Sequence, residues 1–349
     1  MVAVTPPAPL EASALDAPLR AALDRRAALL ARLAAEGTDC VRLLHGAVEG
    51  VPGLTVDRYG PVLLLQTGRA RLAPGVPEAA AEVVGEAIGE ALTPVWNHRP
   101  AFRRGGFGRL HAAPRTLADA VGREEGLSFV VDPRAGGLDP LLFLDLRAGR
   151  RAVRDLAAGA SVLNLFAYTC GIGVAAAAGG AREVVNVDFA RSALTVGARN
   201  AGLNGVAGPW FRWVHEDFFP VARQLAGLPV KGRGARRPYL RVAPRTFDVT
   251  VLDPPRWAKT PFGAVDVIRD YPSLFKPALL ATRPGGWVLA THHVPSVSRE
   301  DFLAVLHRTA EKVDRRLEDV EVLPPEPDFP SPDGRPPLKL VRVRVALRR

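Results

Sequence analysis

A chain of 349 residues with 48% hydrophobic content is longer than one core usually grows, so two folded domains with an extension are expected. Lysine and arginine total 46 against 36 acidic residues, and the formal charge of +10 favours a polyanionic partner, nucleic acid first; the alternative is arginine spread over solvated faces. Cys40 and Cys170 are too few for a disulfide framework or a multi-thiolate zinc site, no apolar run reaches the roughly 18 residues that span a bilayer, and Met1 to Pro7 lack a basic-then-apolar leader, so a reducing cytoplasmic setting without membrane or metal is expected.

Residues 14–36 place Leu15, Leu19, Leu23, Leu30 and Leu33 near helical spacing, and Gly37 supplies a stop, which predicts one helix ahead of the first domain. From Val41 short apolar runs alternate with turn residues (41–44, 53–56, 62–65), predicting a small β-rich unit with a helix over 77–92. Strands are read at 127–132 and 141–146 around the turn 133–137, then a helix at 147–158. Beyond it strands at 161–166, 183–188, 210–215, 247–252, 286–291, 318–323 and 338–346 alternate with helices, the order that forces parallel pairing through crossover helices. The interval 229–246 is read as a surface loop, because it carries Lys231, Arg233, Arg236, Arg237, Arg241 and Arg245 without an acid. No internal repeat is found. The expected division is a helical extension at 1–37, a small α+β domain at 38–120, and an α/β domain at 121–349 that includes a hairpin lead-in at 127–146.

The first strand of the α/β domain, Val162 to Phe166, runs into Ala167-Tyr168-Thr169-Cys170-Gly171-Ile172-Gly173 and an alanine-rich helix. Glycines at Gly171 and Gly173 let backbone amides approach a ligand closely, although a tight turn without ligand looks the same. Asp188, ending the next strand, is placed to accept the hydroxyls of a ribose. The third glycine of a dinucleotide fingerprint is missing, which favours S-adenosylmethionine, a nucleoside without a diphosphate. Asp217, ending the third strand, can accept the adenine amino group or simply cap the following helix. Thr250 to Leu252 lead into Asp253-Pro254-Pro255-Arg256-Trp257 at a strand's carboxyl end, where ligands bind. The prolines fix carbonyls that can accept from an exocyclic amine, and Trp257 offers a stacking face; an ordinary strand exit is the other reading.

Residues 38–349 resemble the bacterial class I large-subunit ribosomal RNA methyltransferases, the family that includes the 23S cytosine-5 and guanine-N7 enzymes. The resemblance rests on Arg42 to Gly46, Gly50 to Gly60, Glu125 to Asp132, Phe143 to Arg150, Asn164 to Thr169, Asp253-Pro254-Pro255 and Pro336 to Lys339. It implies a Rossmann-like seven-stranded α/β sheet beside the smaller N-terminal α+β domain, and S-adenosyl-L-methionine as cofactor. It further implies that the loop with Asn164, Phe166, Tyr168, Thr169, Gly171 and Gly173 holds the methionine end, with Arg147 also at the cofactor. Asp188 would take the ribose and Asp217 the adenine, while Asp253, Pro254 and Pro255 face the transferred methyl group. The implied partner is ribosomal RNA or the assembling large subunit, with room for a homodimer.

Two departures modify this expectation. Members commonly begin with a small RNA-binding PUA domain, for which residues 1–37 are too short, so RNA contact is expected elsewhere. One candidate is Trp96-Asn97-His98-Arg99 with Phe102-Arg103-Arg104 and Phe107-Gly108-Arg109, which interleaves aromatics with guanidiniums; ordinary packing of those aromatics is the alternative. The basic loop from Lys231 to Arg245 is the other. Secondly, Ala290-Thr291-His292-His293 stands where the cytosine-5 enzyme carries its cysteine nucleophile, and without a thiolate to add at C6, cytosine C5 is a poor acceptor. Cys170, in the cofactor loop, is a poor substitute and reads as a packed residue. Direct transfer to a nitrogen is therefore expected, with His292 or His293 contacting the base, taking a proton or serving as scaffold. Methylation of a small molecule or protein, cytosine-5 methylation, and a non-catalytic RNA-binding assembly factor remain as alternatives.

Overall fold

The computed structural model describes residues 7–68, 70–98, 109–112, 120–133, 140–230, 236–331 and 333–347. They form two compact units: residues 1–144 with 326–332, and residues 145–325 with 333–349.

In the first unit, helix α1 (Ala12–Ala35) precedes β1 (Cys40–Leu44), β2 (Leu54–Tyr59) and β3 (Val62–Thr67). Helix α2 (Val76–Ile88) then connects to β4 (Thr93–His98) and β5 (Arg109–Ala112). These strands form one sheet in the order β1-β2-β3-β4-β5, with only β3 and β4 parallel. The leucine stripe of α1 (Leu15, Leu19, Leu23, Leu33) packs in one cluster with Leu43, Val56, Leu63 and Leu65 of the sheet and with Val76, Ala80 and Val84 of α2. Each buried leucine or valine among them contributes about 1.5–3 kcal/mol by leaving water. Trp96 joins this cluster, its indole N–H donating to Thr67 Oγ1 at 2.9 Å. Packing is thus the role of the aromatic that opens the Trp96–Arg109 candidate; Arg103 and Arg104 lie outside the described residues.

The hairpin after residue 120 differs from the sequence expectation. Strand β6 (Val121–Glu124) pairs with β7 (Leu127–Val130) across the turn Glu125-Gly126, whereas residues 141–146 form no strand and end in a 3-10 turn, Leu144–Leu146. The hairpin also belongs with the first unit, so the division falls after Leu144 instead of before 121. Its backbone is the reason: Asp39 N–H donates to Arg123 O at 3.0 Å, Glu125 N–H donates to Thr38 Oγ1 at 2.8 Å, and Gly122 approaches so closely that an added Cβ would lie 2.3 Å from Cys40 Sγ.

The second unit opens with α3 (Arg147–Leu156). It continues β8 (Ser161–Leu165), α4 (Gly171–Ala178), β9 (Glu183–Asp188), α5 (Arg191–Leu203), β10 (Phe211–His215), α6 (Phe218–Leu225) and β11 (Phe247–Leu252). A ribbon of β12 (Trp257–Thr260) and β13 (Gly263–Asp266) follows, then α7 (Tyr271–Leu280), β14 (Thr282–His292), α8 (Arg299–Glu311), β15 (Arg315–Leu323) and β16 (Lys339–Leu347). The seven-stranded sheet runs β10-β9-β8-β11-β14-β16-β15, parallel from β10 through β14, with β16 antiparallel to both neighbours. Every residue of β8 is buried, as expected of a central strand covered on both faces. Strand order reverses between β8 and β11, and the carboxyl ends on either side of such a reversal are where an open α/β sheet binds ligands.

Candidate cofactor and methyl-transfer site

The loop leaving β8 is built from side-chain-bearing residues in a conformation that glycine normally takes. Phe166, Tyr168 and Cys170 have φ of 60°, 49° and 60°. A left-handed residue costs roughly 1–2 kcal/mol, so the surroundings must hold these three. Tyr168 N–H donates to Asp188 Oδ2 at 2.8 Å, Ala167 N–H to Val187 O at 3.0 Å, and Asn200 Nδ2 to Thr169 O at 2.9 Å. Backbone strain that is over-determined in this way marks functional loops. Asp188 anchors the loop with one carboxylate oxygen and accepts Ala190 N–H at 2.8 Å with the other, leaving a lone pair on each. Burial raises the Asp188 carboxyl above its ordinary range, opposed by the Ala190 and Tyr168 N–H bonds and by His215.

Gly173 and Asn164 occupy a different layer. A Cβ on Gly173 would lie 2.1 Å from Asn186 Oδ1, and that oxygen accepts Asn164 Nδ2 at 2.9 Å. Asn164 and Asn186 are 2% and 0% exposed, so the missing side chain at Gly173 lets α4 press onto a side-chain bridge between β8 and β9. Arg147, expected at the cofactor, is wholly buried at the start of α3 and offers a ligand no open surface. Thr169 is also buried, while Tyr168 and Gly171 keep partial exposure. Cys170 packs against α5, where a Cβ on Gly197 would meet its sulfur at 2.5 Å; burial, then Asp188, push its thiol far above the usual range.

Asp217 combines both roles offered by the sequence. Oδ1 caps α6 by accepting Phe219 N–H at 2.8 Å. Oδ2 is buried and makes no hydrogen bond among the described residues. Burial raises this carboxyl; the neighbouring Thr260 hydroxyl and the Phe219 N–H work against that, but the hydroxyl is itself committed to Gly263 O at 3.0 Å. An orphaned buried acceptor is costly unless a donor arrives, and an adenine amino group is such a donor. Beside it the Phe166 and Phe218 rings stack at 4.7 Å, supplying an apolar wall.

At the end of β11, Asp253 is half-buried, Pro254 buried, and Pro255, Arg256 and Trp257 exposed, Trp257 to 61%. Asp253 Oδ1 accepts the Thr291 hydroxyl and lies 2.7 Å from His293 Nε2, while Oδ2 makes no hydrogen bond among the described residues. The two histidines separate. His292, one of the two offered by the sequence as a base contact, is 2% exposed; its Nδ1 accepts Val294 N–H at 3.3 Å, so Nε2 carries the hydrogen donated to Val267 O at 3.1 Å. Burial, with Lys339 and His293 nearby, lowers its pKa to about 4. Alternation at the end of β14 buries His292 and puts Thr291 and His293, the residue just past the strand, on the side of Asp253. Burial disfavours the charged form of His293, but Asp253 and then Asp145 outweigh it and Lys339, leaving its pKa raised.

A family model for S-adenosylmethionine-dependent methyltransferases matches residues 109–344. The chain belongs to the S-adenosylmethionine-dependent methyltransferase family. S-adenosylmethionine is accordingly the cofactor of this methyltransferase. It is 33% identical over 305 residues to a ribosomal RNA large subunit methyltransferase of Deinococcus radiodurans, covering 85% of this chain and 70% of that one. It is 29% identical over 325 residues to ribosomal RNA large subunit methyltransferase I of Aeromonas hydrophila, covering 89% and 75%. Among solved structures, a protein from Streptococcus mutans designated a SAM-dependent methyltransferase superposes with a TM-score of 0.73 at 21% identity, covering 96% of this chain and 82% of that one. Another designated methyltransferase, solved with SAH, gives 0.76 at the same identity and coverage. These two likenesses establish the Rossmann-like fold. Among the described residues no helix is long and apolar enough to cross a membrane, and no cluster of metal-binding side chains occurs.

Proposed function

We propose that this methyltransferase modifies a base of large-subunit ribosomal RNA at a nitrogen, by direct transfer, in the cytoplasm where ribosomes assemble. The substrate class is supported by the relatives named above, which match the chain over both units. The acceptor atom is supported by the end of β14: where the cytosine-5 enzyme carries its thiol, Thr291 and His293 clamp one oxygen of Asp253.

When bound, S-adenosylmethionine supplies an electrophilic methyl group. In this reading the 166–170 loop holds its methionine end, Asp188 accepts the ribose hydroxyls, and Asp217 Oδ2 accepts the adenine amine. Asp253 Oδ2 and the Pro254 carbonyl accept N–H groups of the acceptor base, fixing the nitrogen in line, while Trp257 stacks on the ring. Asp253 draws off the proton that the nitrogen must lose, and His293 shares it across the 2.7 Å contact, a contribution of the order of 10²–10⁴ in rate for positioned acid–base groups. Neither cysteine is accessible for a covalent route, since both are buried. Nucleoside digests of ribosomal RNA from wild-type and deletion strains, compared by mass spectrometry, test the assignment. One methylated nitrogen-modified nucleoside should disappear; an unchanged profile refutes RNA as substrate, and loss of 5-methylcytidine refutes the nitrogen acceptor.

A further inference from the structure

The ribbon β12–β13 and the segment ahead of β11 share one surface beside the reaction motif. From Phe218 to Phe247 the chain contains no acid, yet the interval 236–245 alone carries Arg236, Arg237, Arg241 and Arg245. This segment has no regular secondary structure over 238–246, but it is anchored. Leu240 N–H donates to Glu216 Oε2 at 2.7 Å, Gln224 Nε2 donates to Leu240 O at 2.9 Å, and Arg245 N–H donates to Leu225 O at 3.1 Å. A merely solvated insertion needs no such ties along α6. Its Tyr239 ring carries Arg241 at 4.2 Å on one side and meets Phe262, at the ribbon's tip, edge-on at 5.8 Å.

The ribbon itself is two-faced. Ala258 and Val265 turn towards the core, while Trp257, Lys259 and Ala264 are exposed. Trp257 and Lys259 stand on the same face of one strand, about 6.8 Å apart, an aromatic beside an ammonium. Arg236, Arg237, Arg256 and Lys259 have no ion-pair partner among the described residues, whereas both oxygens of nearby Glu216 accept backbone N–H groups. Arg245 of the segment is paired with Glu183, and Asp266, opposite Trp257 on the ribbon, accepts the Ile268 and Arg269 N–H groups. This leaves the four unpaired cations beside exposed Trp257 and half-buried Tyr239 and Phe262 on pinned backbone, the combination a groove for single-stranded nucleic acid uses.

We propose that the segment 236–245 and the outer face of the β12–β13 ribbon form a track for single-stranded RNA, which delivers the target base to Asp253 and Pro254. The inference rests on the RNA reading above. Arg236, Arg237 and Lys259 contact backbone phosphates, Trp257 stacks a base, and Tyr239 holds Arg241 in place.

The test uses the full chain, a fluorescein-labelled oligouridylate about twelve nucleotides long, within the usual range of single-strand site sizes, and anisotropy titrations over a range of salt. The variant Arg236→Glu/Arg237→Glu/Lys259→Glu should bind at least tenfold more weakly, with a log–log salt slope shallower by about 0.7 per lost phosphate contact. Trp257→Ala should weaken binding by roughly five- to a hundredfold, the range for one base stack. Calorimetry with S-adenosylhomocysteine should give wild-type affinity for all of these, showing that they fold. The matched variant Arg299→Glu/Arg308→Glu/Lys312→Glu, at exposed positions along and just after helix α8, should bind RNA within a few-fold of wild type. Loss of equal size in that matched variant would mean only net charge matters and overturns the track. So does wild-type RNA affinity in the triple variant. Failure of the wild-type chain to bind the oligonucleotide, while it binds S-adenosylhomocysteine, overturns the RNA reading itself and the track with it.

Discussion

Replacing Gly173 with alanine separates two physical roles for a glycine in a cofactor loop. The new Cβ would lie 2.1 Å from Asn186 Oδ1, far inside any observed contact, so Asn186 must turn away. That breaks its acceptance of Asn164 Nδ2 at 2.9 Å and its donation to Arg212 O at 3.3 Å. Overpacking typically costs about 1–3 kcal/mol, and a buried polar group left unsatisfied about another 1–3. The sum, about 2–6 kcal/mol, lowers the melting temperature by roughly 5–20 °C at the ~2–4 °C per kcal/mol usual for units of this size. Thermal melts followed by circular dichroism measure it, with Asn186→Ala and the double variant closing a cycle. Because Asn186→Ala removes the colliding atom, the double variant should be less destabilised than the two single changes added together. A Gly173→Ala protein that melts like wild type, but binds S-adenosylhomocysteine weakly, would refute the packing role and return this glycine to the ligand.

Asp217→Ser retains the helix cap while removing Oδ2; it should bind S-adenosylhomocysteine about five- to tenfold more weakly by calorimetry, near 1–1.5 kcal/mol for one hydrogen bond, and unchanged affinity would remove Asp217 from the adenine. Cys170→Ala should retain methyl transfer within a few-fold, and native protein should resist maleimide labelling, because both thiols are buried; loss of turnover with intact folding would reinstate a covalent route. The two histidines make opposite contributions to stability. His293, raised in the folded state, contributes fully below its unfolded pKa of about 6.5 and loses that contribution as pH rises through the folded value. His292, lowered to about 4, makes stability fall as pH drops from the unfolded value of about 6.5 towards 4. Urea melts should therefore show His293→Ala flattening the alkaline side and His292→Asn the acid side; reversed assignments would refute the geometry. Asp248, held well below the carboxylate range against its burial by Ser161, Arg283 and Arg182, should cost about 2–3 kcal/mol when changed to alanine, the scale of charged hydrogen bonds.

Much of this protein was legible in one dimension because its signals are local. Strands 183–188 and 247–252 have the same bounds in the sequence reading and in the structure, since the clustered β-branched and apolar residues Val184, Val185 and Val187, and Phe247, Val249, Val251 and Leu252, stand out between turn residues and helices. The helix of residues 14–36 announced itself by leucine spacing, and the motif Asp253 to Trp257 by its place after an apolar strand. Strands β4 to β6 and the β12–β13 ribbon escaped, because strands of four to six residues rich in charge, glycine or proline lack the apolar period and exist only through their partners.

What the tertiary structure decided is where those local pieces meet. Sequence order predicted a domain beginning at 121, but long-range hydrogen bonds from Asp39 and Thr38 bind that hairpin to the first unit. Adjacent histidines are indistinguishable along the chain; strand alternation buries His292 and turns His293 to Asp253, a residue from a different strand. The left-handed conformations of Phe166, Tyr168 and Cys170 likewise have no signature in residue type, because they are imposed by contacts with Asp188 and neighbouring backbone. The period of apolar runs determined that an α/β sheet would form, and the loop and strand-end motifs together with the family resemblance pointed to its cofactor; only packing between distant segments determined which oxygen of Asp217 is left open and which histidine faces Asp253.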